Sequence, residues 1–217
     1  MDFEKINTYL TTEQKEYLDS NKTYVDYKKG ETIIKQGVPA NHVVYLEKGF
    51  ARLNITDQDH TSCIDLVFTG SFIGLMCSFT GNNFIFSAEA IDNCRISIVN
   101  KDVIYSLLKE NSEFSLAVIN YISRTTAGLV FWMSRLRYKH IEGALAMILL
   151  KFNSHYDNLS FELPVTRKEL AEILGYSKES VINTLSKFKN DNLINIHNRS
   201  VVEIVDIKTL KIISEKG

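Results

Sequence analysis

Short apolar runs separated by turn residues dominate the first hundred positions. Thr32-Ile33-Ile34, Val43-Val44-Tyr45-Leu46, Ala51-Arg52-Leu53-Asn54-Ile55 and Cys63-Ile64-Asp65-Leu66-Val67-Phe68 read as strands a few residues long. Glu47-Lys48-Gly49 and Asp57-Gln58-Asp59 read as hairpin turns, with Gly49 free to take positive φ. Phe84 to Val99 is a further β-rich run, broken by Asp92-Asn93. Six of the ten glycines lie between residues 30 and 81. Turns therefore recur every ~8–12 residues, the spacing of a sandwich or barrel.

The pattern changes after Asn100. Asn100-Lys101-Asp102 suits the start of a short helix through Leu108. From Ser112 to about Arg137 the chain has no proline, and Val118, Ile122, Thr125, Leu129, Trp132 and Leu136 recur at spacings of 4, 3, 4, 3 and 4. That heptad seam, with one polar Thr inside it, predicts a helix about 39 Å long at 1.5 Å per residue. The seam favours a parallel second copy, although one helix buried in its own subunit has the same periodicity. Phe114, Tyr121 and Phe131 form a second stripe suited to packing on the β region. Arg135, Arg137, Lys139 and His140 make a polar break, which places a domain boundary near residues 137–140. Beyond it, Ile141, Leu145, Ile148, Leu149 and Phe152 fit a new amphipathic helix.

Composition narrows the class without naming a function. The 217 residues are 45% hydrophobic and 24% charged, as in ordinary globular proteins. With 25 Lys+Arg against 26 Asp+Glu, the net charge of −1 excludes a uniformly basic polyanion binder and an acidic disordered tail. It leaves room for DNA binding through one local patch. Cys63, Cys77 and Cys94 are too few and too scattered for a disulfide scaffold or a structural zinc site. Met1-Asp2-Phe3-Glu4 lacks a signal-peptide pattern, and runs such as Ala144 to Leu150 fall far short of the ~18 residues of a membrane span. A soluble cytoplasmic protein is expected.

The sharpest chemistry lies between Pro164 and Leu185. Thr166 with Glu169 is a capping box, Leu170, Ala171 and Leu174 supply an apolar face, and Gly175 follows as a left-handed terminator. Ser177 then caps a second helix whose Val181, Leu185 and Phe188 face inward. Helix, Gly turn and helix in this order place the second helix in a DNA major groove. Its exposed face carries Lys178, Glu179, Ser180, Ile182, Asn183 and Lys187. Glu accepts from cytosine N4, Asn pairs with an adenine edge, and Lys suits guanine or phosphate. Thr166 and Arg167 suit the phosphate backbone, helped by the N-terminus of the first helix, and Ser177 is a further DNA-contact candidate. Leu193 to Ile196 and Val201 to Val205 flank His197-Asn198-Arg199-Ser200, a hairpin wing whose His197 and Arg199 suit phosphate. A solvated helix pair with ordinary surface charge is the plain alternative.

These residues, with Lys29-Gly30-Glu31-Thr32-Ile33-Ile34-Lys35-Gln36-Gly37, Tyr45 to Arg52 and Gly70-Ser71-Phe72-Ile73-Gly74, resemble the cyclic-AMP receptor protein/FNR (Crp/Fnr) family of bacterial transcription regulators. The resemblance covers nearly the whole chain. It implies an α+β protein with a cyclic-nucleotide-binding-like β-roll (jelly roll) over residues 1–110, a dimerisation helix over 111–137 and a winged helix-turn-helix over 138–217. It implies a homodimer on palindromic double-stranded DNA, acting with RNA polymerase and without enzyme activity. Lys178 and Glu179 match two base-reading positions of the family. Asn183 stands where the family usually has Arg, so the half-site should depart from the usual TGA-type core.

The effector site departs further. Leu75 stands at the family's ribose-binding Glu, Phe86-Ser87 at its phosphate-gripping Arg-Ser, and Leu129-Val130 at its adenine-reading Thr-Ser. A cyclic phosphate buried without a cation is poorly compensated, so cyclic AMP in the usual mode is not expected. Residues 1–62 contain no Cys, so the iron–sulfur ligands of FNR proper are absent. No cofactor is predicted, and the effector is unassigned. Leu75, Met76, Phe86, Leu129 and Val130 either line a site for a hydrophobic small molecule or fill a core. Two rival readings are a cyclic-nucleotide-responsive regulator with unfamiliar contacts and a cupin-type metal enzyme. For the latter the β region offers only His42 and His60 as histidine ligands, and an iron-binding haem sensor would draw on the same histidines or a Cys.

Overall fold

The computed structural model describes residues 6–58, 60–80, 83–138, 140–198 and 200–216. The chain forms two compact units, Met1–Val130 and Phe131–Gly217. In the first, α1 (Thr12–Ser20) precedes β1 (Lys22–Tyr27), β2 (Thr32–Ile34), β3 (His42–Lys48), β4 (Phe50–Asp57), β5 (His60–Phe68) and β6 (Ser71–Ile73). A short α2 (Leu75–Thr80), β7 (Ser87–Ala90), β8 (Cys94–Asn100) and α3 (Lys101–Glu110) follow, and then the long α4 (Ser112–Tyr138). Two four-stranded antiparallel sheets result, ordered β1-β8-β3-β6 and β2-β7-β4-β5.

Burial on both faces explains why β3 reads as an unbroken apolar run rather than an alternating one. Val44 and Leu46 point between the sheets, while Val43 and Tyr45 point the other way into a second cluster with Leu107, Phe114 and Tyr121. The inter-sheet core is closed by Phe84 and Phe86, 5% and 2% exposed. Gly74, at φ +71°, makes room for them: a Cβ there would stand 2.8 Å from both rings. At the β3–β4 turn Gly49 takes φ +88°, and a Cβ would meet the carbonyl oxygen of Asn93 at 2.5 Å. The Asp57-Gln58 turn also forms, with Gln58 at φ +52°; Asp59 lies outside the described residues. Asn100 caps α3 as its sequence suggests, its side chain accepting from the amide of Asp102 at 2.9 Å.

Along α4 the first residues of the expected seam face inward. Val118 is buried with Phe114, Ala117 and Tyr121 in the core of its own unit, and Ile122 packs against the same cluster. Thr125 is exposed and Leu129 partly buried, while the side chains of Trp132 and Leu136 lie outside the described residues. The reason is that adjacent residues differ by ~100° around a helix, so one helix carries two heptad-spaced stripes. The roll takes the stripe containing Val118. Left outside are Leu116, Ile119, Val130 and Met133, with Ser123 and Thr126 between them, at spacings of 3, 4, 3, 4 and 3. Phe131, expected to pack on the β region, is exposed.

The second unit is built around α5 (Ile141–Tyr156), whose Leu145, Ile148, Leu149 and Phe152 are fully buried. After it come β9 (Ser160–Glu162), α6 (Arg167–Leu174), α7 (Lys178–Asn190), β10 (Ile194–His197), β11 (Val201–Ile204) and α8 (Ile207–Lys216). The strands make one antiparallel sheet, β10-β11-β9. Ser160-Phe161-Glu162 and the helix from Ile207 were not anticipated from sequence; β9 is three residues long and owes its definition to pairing with β11.

Two glycines separate turn strain from close packing. Gly37, at φ +87° with open space around it, is expected to lose about 1–2 kcal/mol on replacement by Ala, the left-handed backbone cost. Gly49→Ala adds the collision with Asn93 and is expected to lose about 3 kcal/mol or more. Denaturant unfolding of the two variants measures the difference.

Candidate nucleic-acid interface

Local chemistry sets each end of α6 and α7. The Thr166 hydroxyl accepts from the amide of Glu169 at 3.2 Å, and the Glu169 carboxylate accepts from the amide of Thr166 at 2.6 Å. Gly175 ends α6 in the left-handed region at φ +73°. Ser177 begins α7, its hydroxyl accepting from the Ser180 amide at 3.1 Å and donating to the Ser180 hydroxyl at 2.9 Å. Asn192, at φ +55°, follows α7, and the Leu193 amide returns to the Phe188 carbonyl at 2.9 Å. Leu170, Ala171, Ile173 and Leu174 of α6 and Val181, Leu185 and Phe188 of α7 are buried. The opposite face of α7 is held outward as a consequence.

That face presents Lys178, Glu179, Ile182, Asn183, Ser186 and Lys187. Among the described residues, the side chains of Lys178, Glu179 and Asn183 make no hydrogen bond or ion pair, and all three are exposed. Two neighbours are engaged within the chain. The Ser186 hydroxyl donates to the Ile182 carbonyl at 2.9 Å. The Lys187 ammonium lies 2.6 Å from the Glu142 carboxylate, which raises its pKa through that hydrogen bond. Ser180 is partly buried beside its cap, and Arg167 is half-buried, with its pKa lowered by desolvation.

The hairpin wing forms as expected. Its register sets Asn195 opposite Glu203 and His197 opposite Val201. The Glu203 carboxylate accepts from Asn195 at 3.1 Å and lies 2.9 Å from His197 Nε2. These bonds, that of His197 foremost, hold the carboxyl below its ordinary pKa. His197 is therefore partly engaged within the wing. Arg199 lies outside the described residues. Sequence reading missed both acidic partners. Glu142 is 45 residues from Lys187 and leaves no local signal. Glu203 was discoverable from the hairpin register, which sets it diagonally across from His197.

The expected pocket residues separate. Leu75, Met76 and Leu129 line one apolar cavity of about 50 Å³, together with Tyr121, Thr125 and Thr126. Phe86 lies instead in the inter-sheet core. Ser87 is partly buried, its hydroxyl donating to the Asn54 carbonyl at 3.3 Å. Val130, 62% exposed, faces away from the cavity's neighbours. The residues expected to share one pocket thus lie in separate places: Phe86, just before β7, is part of the inter-sheet core, whereas Leu75, Met76 and Leu129 share the small cavity. The cavity has about a third of the ~150 Å³ in which an apolar hollow binds benzene. Among the described residues, no three His, Cys, Asp or Glu side chains gather as a metal site, and no helix is long and apolar enough to cross a membrane.

The capping box supports a direct test. Thr166→Ala is expected to cost about 1 kcal/mol at the start of α6. Amide exchange at Glu169, followed by mass spectrometry or NMR, should quicken about fivefold.

Comparison with known proteins agrees with this architecture. Residues 24–111 match a cyclic nucleotide-binding domain and residues 143–213 a Crp-like helix-turn-helix domain. The cAMP-activated global transcriptional regulator CRP of Salmonella typhimurium is 24% identical over 182 residues, covering 81% of this chain and 87% of its own. The global nitrogen regulator of Nostoc is 21% identical over 183 residues, covering 81% and 82%. Among solved structures, FixK2 from Bradyrhizobium japonicum has a TM-score of 0.80 at 18% identity, with 88% of this chain and 96% of that chain covered. TTHA1359 from Thermus thermophilus, a transcriptional regulator of the CRP/FNR family, has a TM-score of 0.70 at 24% identity, covering 89% and 99%. A β-roll, a long helix and a capped helix-turn-helix with its wing, in this order and with these matches, make the chain a member of the Crp/Fnr family of DNA-binding transcription regulators.

Proposed function

We propose that this regulator works as a homodimer, reading a two-fold operator with one copy of α7 in each of two major grooves. The observation that carries the reading is the unengaged polar edge of Lys178, Glu179 and Asn183, held outward by the buried face of the same helix. Glu179 suits cytosine N4, Asn183 suits adenine N6 and N7, and Lys178 suits guanine or phosphate. Thr166, Arg167, Ser177, Ser180, His197 and Arg199 belong to the backbone-contacting rim, with Lys187 joining it on release from Glu142. Residues 165–190 carry five basic and three acidic side chains, a net of +2. So small an excess favours specificity through base contacts and dimer geometry over general attraction. The regulator acts in the cytoplasm, with RNA polymerase at the promoter it controls, and performs no catalysis.

The second copy covers the outer stripe of α4, Leu116, Ile119, Ser123, Thr126, Val130 and Met133, rather than the Val118 stripe. A parallel pairing of these faces buries four large apolar side chains per helix and sets half-sites ~34 Å apart. The sensor assignment of residues 1–110, the helix of 111–137 and the reader of 138–217 follow from this division of work. Cyclic AMP is not the effector. The inter-sheet core is occupied by Phe84 and Phe86, and the Arg52 guanidinium is paired with the Glu89 carboxylate at 3.1 Å.

Three measurements test these statements. Full-length protein should select a two-fold sequence from a randomised duplex library, with affinity falling as salt rises; no enrichment at low salt would sink the DNA reading. Ile119→Glu is expected to give monomers by light scattering and to abolish selection of two-fold sites. Titration calorimetry with cyclic AMP and cyclic GMP should give no saturable heat, and a micromolar affinity would overturn the reading of Phe84 and Phe86.

A further inference from the structure

Ile182 is 40% exposed in the middle of α7. A single exposed isoleucine on a protein surface needs no explanation; the position of this one does. It follows Glu179 by three residues and Lys178 by four, and it is next to Asn183, so it stands within the polar edge proposed to enter the groove. Its two neighbours toward the C-terminus are occupied internally, Ser186 by the Ile182 carbonyl and Lys187 by Glu142. Beyond the first turn, the groove-facing chemistry of α7 therefore reduces to Asn183 and Ile182. An isoleucine cannot donate or accept a hydrogen bond. The only apolar feature on the major-groove floor is the C5 methyl group of thymine.

We propose that Ile182 is a specificity-determining residue that packs on a thymine methyl, at or beside the A·T pair whose adenine Asn183 reads. The pair of residues divides the work. Asn183 supplies hydrogen bonds that recognise adenine, and Ile182 removes the methyl and its own exposed methylenes from water. Polar bases at that step leave Ile182 against an unsatisfied donor or acceptor, so the contact discriminates as well as attracts. The inference rests on the proposed insertion of α7 into the groove.

The experiment replaces each thymine of the selected half-site, one at a time, by deoxyuridine, which pairs identically and lacks only the methyl. Binding of the full-length protein to each duplex is then measured. One thymine position is expected to lose affinity about fourfold per half-site, the worth of one buried methyl-sized group. Ile182→Ser should bind the thymine and deoxyuridine duplexes equally, with its thermal midpoint compared with the parent. If every deoxyuridine duplex binds the parent protein as tightly as the thymine duplex, the proposal is wrong, and this measurement needs no variant. Full thymine preference in Ile182→Ser overturns it too. A library that yields no enriched motif defeats the groove reading itself, an outcome separable from a motif with indifferent thymines.

Discussion

The Tyr121 hydroxyl accepts the backbone amide of Phe72 at 2.9 Å, while its ring meets the Phe72 ring edge-on at 5.3 Å. This contact fixes the rotation of α4 about its own axis on the roll. Phe72 is the central residue of β6, an edge strand of the first sheet, so its amide would otherwise be an unpaired buried donor. Once Tyr121 is turned inward, Phe114, Ala117 and Val118 turn inward with it, and Leu116 and Ile119 are left to solvent. The stripe left to solvent, and the residues that line the small cavity beside Leu75, are both consequences of that rotation.

The space between the two sheets is a packed apolar core. Val44, Leu46, Leu53 and Ile96 from both sheets surround Phe84 and Phe86, and Gly74 gives up its side chain to admit the two rings. Burial of the two rings is worth ~1.5–3 kcal/mol each. Arg52 is paired with Glu89 across the β4–β7 register.

In the second unit the physical logic runs in the opposite direction, from packing to exposure. Buried Val181, Leu185 and Phe188 anchor α7, and the caps at Ser177 and Asn192 settle where it begins and ends. Its outer face is left polar and sparsely engaged. Acidic partners at Glu142 and Glu203 engage Lys187 and His197 within the unit.

Elements defined by local rules were legible in the chain alone. The Thr166–Glu169 box, Gly175, the Ser177 cap, the Asn100 cap and the hairpin of residues 194–204 each depend on residues a few positions apart, and each is found where its spelling places it. The long α4 and the inward stripe of α7 were legible for the same reason, because helical periodicity is a local property. What tertiary structure alone decided was the choice between equivalent alternatives. Val118 and Ile119 lie on two heptad stripes of one helix, and the packing of Phe114, Val118 and Tyr121 on the roll selects which faces inward. Phe86 and Leu75 were both apolar candidates for one pocket, and the tertiary packing sends Phe86 into the inter-sheet core while Leu75 begins α2 beside Leu129. Glu142 reaches Lys187 across 45 residues, a proximity that no local pattern encodes, because it arises from the packing of the second unit's core.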